Sequence, residues 1–136
     1  MKSVALRTVT VWLSIILAET LNGIVRELFI TPQLGDISAR RVSFGIALVL
    51  ILAIAYLSAP MFAALTNAGR ILVGIVWSVV TLCFEVFLIG SITGISTERI
   101  IADYDPRLGG LMAFGMLYLI AAPTLGYLLR RQQAVN

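Results

Sequence analysis

Four runs dominated by apolar residues, at about 5–30, 43–63, 71–90 and 109–129, are separated by short segments that gather Pro, Gly, Asp and Arg. A helix that crosses a bilayer needs about 20 mostly apolar residues, because each backbone N–H and C=O must be satisfied inside the segment itself. The breaks carry turn chemistry: TPQLGD at 31–36 contains Pro32 and Gly35, TNAG at 66–69 precedes Arg70, and DYDPRLGG at 103–110 combines Pro106 with a Gly pair. The pattern predicts an all-α, polytopic membrane protein in which residues 1–136 form a single domain of four transmembrane helices. The very short second break predicts that spans two and three form an antiparallel hairpin. Between spans three and four, ISTERIIADYD at 95–105 offers Ser96 or Thr97 as an N-cap and sets Ile100, Ile101 and Tyr104 at helical spacing. A short helix lying in the membrane interface is expected there. Pro60 and Pro123 each remove a helical donor, which a membrane tolerates where neighbours re-satisfy the freed carbonyl.

Composition agrees with that class. Hydrophobic residues make up 60% of the chain and charged residues only 12%, with a mean hydropathy of +1.00, against about 25% charged in soluble domains. The net charge of +3 is read as topological and lipid-facing rather than as a nucleic-acid signal. Lys2 and Arg7 ahead of an apolar run imitate a secretory signal, but Ile16 is too large for the position before a cleavage near Ala18, so an uncleaved first helix is expected. Four spans put both termini on one side with the second break. All seven acids, Glu19, Glu27, Asp36, Glu85, Glu98, Asp103 and Asp105, fall in the opposite half. The basic residues that flank the terminal side favour cytoplasmic termini.

The first run contains LAETLNGIVREL at 17–28, which sets Glu19, Asn22, Arg26 and Glu27 into hydrocarbon. At 100° per residue, Asn22 and Arg26 lie within about 60° of Glu19, and Glu27 lies farther round. The nine Val, Ile and Leu residues from Val9 to Val25 favour insertion by roughly 4 kcal/mol together, whereas one central acid costs about 3. The helix therefore needs neighbours for its polar face. Span three supplies a matching stripe, because Gly74, Ser78, Thr81 and Glu85 recur at spacings of four, three and four, with Trp77 at the edge. Spans one and three run in the same direction, and Glu19 and Glu85 are expected to meet at one depth. Arg26 is the expected partner of one of them. Two readings stay open: a cluster that only fixes helix packing, or one that lines a path for a proton, cation or small polar solute, with one glutamate carrying a proton.

Asp103, Tyr104, Asp105 and Arg107 are expected to form a lid or interface over that cluster. Spacing of two puts the two aspartates on different sides of a helix, so a solvated loop or cap is favoured over a metal pair. Gly90 and Gly94 match a GxxxG pattern at the end of span three, where Gly also serves to end a helix, and Ala122 and Gly126 repeat a small spacing beside Pro123 that close packing explains. A single Cys83 and the absence of His remove the usual zinc, haem and imidazole-base sites. No Walker loop, GxSxG, HExxH or Cys-pair motif occurs. Neither an enzyme nor a cofactor or metal is expected, an intramembrane enzyme on lipid or quinone being the remote alternative.

The segments AETLNGIVRELFITPQLGD at 18–36, FEVFLIG at 84–90 and ADYDPRLGG at 102–110 resemble a family of small, uncharacterised bacterial inner-membrane proteins with four transmembrane helices. The resemblance implies a bacterial inner membrane and that the three polar segments belong together; it carries over no activity. Four short helices make a thin bundle, so a homo-oligomer or a place in a larger membrane complex is expected, within the lipid bilayer and without nucleic acid. The functional expectation is a small oligomeric channel- or transporter-like protein, and the alternative is a non-catalytic accessory or structural subunit.

Overall fold

Four long apolar helices, Ser3–Leu34, Asp36–Phe62, Asn67–Thr93 and Met112–Val135, fall on the four expected spans. The structure, a computed structural model, describes residues 2–94, 96–108 and 110–136, with the side chains of all but Lys2, Leu88 and Ile89. Ile95 and Gly109, which belong to the expected interfacial segment and Gly pair, lie outside the described residues. Among the described residues every element is helical and there is no strand. The chain is thus a multi-pass, all-α membrane protein.

The connections differ in detail from expectation. TPQLGD is not a loop: the first helix passes through a π-helical turn at Arg26–Ile30 and continues as α-helix over Thr31–Leu34. The wider π turn gives the ring of Pro32 room that a regular α-turn denies it. Only Gly35 breaks the chain, at φ +80°, where a side chain is strained. At 1.5 Å per residue, the 32 residues of the first span measure about 48 Å, longer than a hydrocarbon core of about 30 Å. Its charged last turns therefore reach the interface. The second span ends in a 3₁₀ turn at Ala59–Phe62 that holds Pro60. Thr66 caps the third span by accepting from the Gly69 N–H (3.1 Å). Ser96, rather than Thr97, caps the interfacial helix Thr97–Tyr104.

Span four is the hub of the bundle. It packs closely on both span two and span three, span one packs on span two, and spans two and three hardly touch. The expected antiparallel hairpin is therefore opened by span four. Small residues make this possible. A Cβ on Gly74 would stand 2.1 Å from the Ile120 carbonyl oxygen, and one on Gly126 would stand 2.6 Å from the Ala55 carbonyl carbon. Span three is tied further to span four by Ser78, whose hydroxyl donates to the Met116 carbonyl (2.9 Å). With hydrocarbon outside as apolar as Leu, such close backbone approach and interhelical hydrogen bonds take over the role of the hydrophobic effect.

Spans one and three are held apart by large side chains. Trp77 is fully buried and donates its indole N–H to the Thr8 carbonyl (3.0 Å), while Trp12 donates to the Thr81 hydroxyl (2.9 Å). Phe62 stacks edge-on against Trp77, and Phe84 edge-on against Trp12. Together with Ile15 and Ala122 these rings fill the middle of the bundle.

The terminal end is clasped by three arginines that donate to the last carbonyls of span two. Pro60 has no N–H for the Tyr56 carbonyl, which accepts instead from the Ala59 N–H and from Arg130 Nη1 (3.3 Å). Arg7 Nη1 donates to the Met61 carbonyl (3.1 Å). Arg70, only 4% exposed, donates to the carbonyls of Phe62 (3.1 Å), Ala63 (3.4 Å) and Leu65 (2.5 Å) and to Asn67 Oδ1 (2.9 Å), with its guanidinium 3.7 Å above the Tyr127 ring. The cation sits at the negative end of the helix dipole, where it is favoured.

Two outcomes test this packing. Gly74→Val is expected to destabilise the bundle by about 2 kcal/mol, the usual cost of overpacking, whereas Gly23→Ala, with no atom within 4 Å of the added carbon, leaves the thermal midpoint in detergent unchanged. Arg70→Lys lowers the same midpoint by several degrees because an ammonium lacks the planar fork that serves four acceptors and a ring at once; Arg99→Lys, on the exposed interfacial helix, does not.

Candidate functional site

Glu19 projects from the middle of span one, where an acid is costly unless something inside the protein answers it. Glu85 of span three lies near enough for its charge to act on Glu19. One oxygen of Glu19, Oε1, is buried and has no hydrogen-bond partner. Glu85 accepts a hydrogen bond from the Tyr104 hydroxyl at 2.8 Å, and the next residue back on the interfacial helix, Asp103, is paired with Arg40 Nη1 at 3.0 Å. Arg40 also holds Asp36, one turn earlier on span two, at 3.2 Å. The result is a row of polar groups in which Asp36, Arg40 and Asp103 are paired, Tyr104 follows Asp103 on the interfacial helix and bonds Glu85, and Glu19 stands beyond with no bond to them.

Local structure sets this row in place. Asp36 opens span two, where the helix dipole favours a negative charge, and its spacing of four to Arg40 puts both on one face. Glu85 lies in a second π-helical turn, Phe84–Ile89, in which the Gly90 N–H reaches back to the Glu85 carbonyl. A π turn carries one extra residue and often marks a working site, and here both such turns lie in the half of the bundle that holds the acids. The interfacial helix is seated by Gly110, whose N–H donates to the Asp105 carbonyl (3.0 Å). A Cβ there would stand 2.2 Å from the Asp103 carbonyl oxygen, so a larger residue would displace Asp103 and Tyr104. Burial, and then the charge of Glu85, push the Tyr104 phenol well above its ordinary range. Tyr104 therefore stays protonated and serves as a donor.

Several expected members of the cluster lie elsewhere. Arg26 pairs with neither Glu19 nor Glu85 but with Glu27, at 3.1 Å, both partly exposed; two helical turns beyond Glu19, its long side chain reaches the interface, where charge is cheap. Asn22 is buried and donates to the Ser43 carbonyl (3.0 Å), joining spans one and two. Ser78 and Thr81 are buried on the stripe the spacing predicts, but Ser78 serves span four and Thr81 serves Trp12. Of the lid residues, Asp103 and Tyr104 join the row of polar groups, whereas Asp105 and Arg107 form a local pair at 3.5 Å with Arg107 almost fully exposed. The site thus draws on spans one, two and three and the interfacial helix, not mainly on spans one and three.

Arg40 and Asp36 were not among the expected site residues. The Asp–Arg spacing of four at the head of a span is a signal visible in the sequence, but its partner, Asp103, lies 63 residues away, and only folding connects them. Among the described residues, no group of three or more carboxylates or thiols converges closely enough to hold a metal ion.

Toward the termini the row of polar groups stops. Ile15, the Trp12–Phe84 pair and the Trp77–Phe62 pair occupy the next layers. No family model matches the sequence, and no curated protein or solved structure matches it.

Proposed function

We propose that this chain is a bacterial inner-membrane protein, working as an oligomer, that takes up a proton or small cation at Glu19 and Glu85 and passes it along the row of polar groups. The observation that carries this reading is a pair of carboxylates on spans one and three, one with a buried oxygen that has no hydrogen-bond partner and the other bonded to Tyr104, which follows the Arg40–Asp103 ion pair on the interfacial helix. Two like charges in a region of low dielectric repel strongly. A proton or cation held between them relieves that repulsion, and the unpartnered oxygen of Glu19 is where an arriving donor or cation would find an acceptor.

In this reading Arg40 holds Asp103 in place at the entrance, where the carboxylates attract cations from the interface. Tyr104 holds Glu85 in position through its hydroxyl and yields that hydrogen bond when Glu85 receives its proton or ion. With both termini in the cytoplasm, the entrance faces the outer side. Release on the other side requires Trp12 and Phe84 to swing apart, a rearrangement of the rings that close the bundle toward the termini.

The second reading, an accessory subunit of a larger membrane complex, is favoured by one feature. Leu6, Val9, Leu13, Leu17, Leu21, Ile24 and Leu28 form a continuous exposed stripe on span one, the helix with the least burial. Such a stripe serves lipid or another helix equally well. If docking is its role, mild extraction recovers the chain at fixed stoichiometry with other proteins, and recovery as a homo-oligomer counts against it.

Purified protein in proteoliposomes is expected to carry a pH-dependent flux of protons or monovalent cations. Glu19→Gln and Glu85→Gln each reduce it at least tenfold, and full flux in both variants sinks the mechanism. Tyr104→Phe, which removes one hydrogen bond to a charged group worth about 1.5–3 kcal/mol, slows the flux about tenfold without unfolding the bundle, as checked by circular dichroism. Arg40→Gln reduces the apparent affinity for the transported ion more than the maximal rate, since it acts at the entrance rather than at Glu19.

A further inference from the structure

Two carboxyl groups within reach of one another's charge in a low-dielectric interior do not ionise together. They share one negative charge, and the groups around them decide which member carries it. The surroundings of Glu19 and Glu85 differ in kind. Glu85 Oε2 accepts a hydrogen bond from the Tyr104 hydroxyl at 2.8 Å, and such a bond strengthens when its acceptor is charged. Tyr104 remains the donor, because burial and then the charge of Glu85 push its phenol well above its ordinary range. Glu19 Oε1 is buried, and no described group donates to it. A carboxylate oxygen left in that condition costs far more than the same oxygen of a neutral acid.

The rest of the neighbourhood offers Glu19 no counter-charge. On its own helix Arg26 is engaged by Glu27, and Asn22 turns its amide to the Ser43 carbonyl of span two. Arg40 of span two is held between Asp36 and Asp103 of the interfacial helix. On span four the Tyr118 hydroxyl donates to the Leu48 carbonyl (3.1 Å). The charge that does act on Glu19 is the negative one of Glu85. Nor does the pair supply the shell of a metal ion. Hard cations take about six oxygen ligands, whereas among the described residues no three carboxylates come together, and the hydroxyls of Tyr104 and Thr81 are engaged by Glu85 and Trp12.

We propose that Glu19 and Glu85 bind a single proton rather than a metal cation, that this proton resides on Glu19, and that Glu85 is the ionised member, held so by Tyr104. The inference rests on the transport reading only in taking this proton for the ion that is moved. The hydrogen bond from Tyr104 by itself biases the charge toward Glu85 by roughly 10- to 100-fold. The missing donor at Glu19 acts in the same direction.

Dicyclohexylcarbodiimide, an apolar reagent that enters hydrocarbon, tests the assignment on the intact protein in dodecyl maltoside. It reacts with a carboxylic acid and not with a carboxylate: the acid O–H adds across one C=N bond to give an O-acylisourea, which rearranges to a stable N-acylurea with nothing released. At neutral pH, peptide mass spectrometry is expected to find the adduct on Glu19 at least about tenfold over Glu85, declining as the pH rises and Glu19 ionises. Excess sodium or potassium chloride leaves the labelling unchanged. Tyr104→Phe removes the donor that keeps Glu85 charged and lowers the Glu19-to-Glu85 ratio about tenfold or more, whereas Tyr118→Phe does not. Infrared spectroscopy reads the resting state without a reagent. A deuterium-sensitive band of a protonated carboxyl is expected in the unaltered protein and in Glu85→Gln, and is lost in Glu19→Gln, with helical circular dichroism retained in both variants. Preferential label on Glu85, protection by sodium or potassium, absence of the band in the unaltered protein or its persistence in Glu19→Gln each overturns the proposal. None of these readouts needs flux. Proteoliposomes that carry nothing while Glu19 is protonated sink the transport reading and leave the assignment standing, and sodium or potassium flux accompanied by protection of Glu19 does the reverse.

Discussion

Inside hydrocarbon a carbonyl or a charge without a partner costs several kcal/mol, and the two ends of this bundle meet that demand with opposite chemistry. At the terminal end the problem is carbonyls. Span two finishes in a 3₁₀ turn around Pro60, and its last acceptors are served by Arg7, Arg70 and Arg130, from spans one, three and four. At the other end the problem is carboxylates. Asp103 and Asp36 are answered by Arg40, Glu85 by Tyr104, and the inner oxygen of Glu19 by nothing in the chain.

The packing between the two ends follows from side-chain volume. Glycines at 74 and 126 let span four lie against spans three and two at backbone distance, while Trp12 and Trp77 keep spans one and three apart and fill the gap with rings whose indole N–H groups are both bonded. A close seam on one side and a wide, ring-filled seam on the other give the bundle an asymmetric interior.

Much of the architecture was legible along the chain because a bilayer imposes length and polarity on every segment that crosses it. The four spans, the interfacial helix with its Ser cap and the burial of the stripe through Gly74, Ser78 and Thr81 all follow from local periodicity. That Glu85 comes near enough to Glu19 for its charge to act was legible too, since the two spans run in the same direction. The identity of the basic partner was not. Arg26 shares a face with Glu19 in helical projection, yet its side chain extends to the interface and pairs with Glu27, whereas Arg40 reaches Asp103 from a different helix. Helical spacing orders residues on one element and is silent on which element stands beside it.

What the sequence determined by itself is therefore everything that the bilayer demands of a single helix: which segments cross, which residues cannot face lipid, and which end of the molecule holds the acids. Tertiary structure alone decided the order of helices around the bundle. Nothing in the sequence says that span four parts spans two and three, because that order is set by which glycine meets which backbone. It also decided that the helix runs on through Pro32 by way of a π turn. Both depend on contacts between atoms distant in the chain, and the energy of such contacts belongs to the pair of surfaces and not to either segment alone.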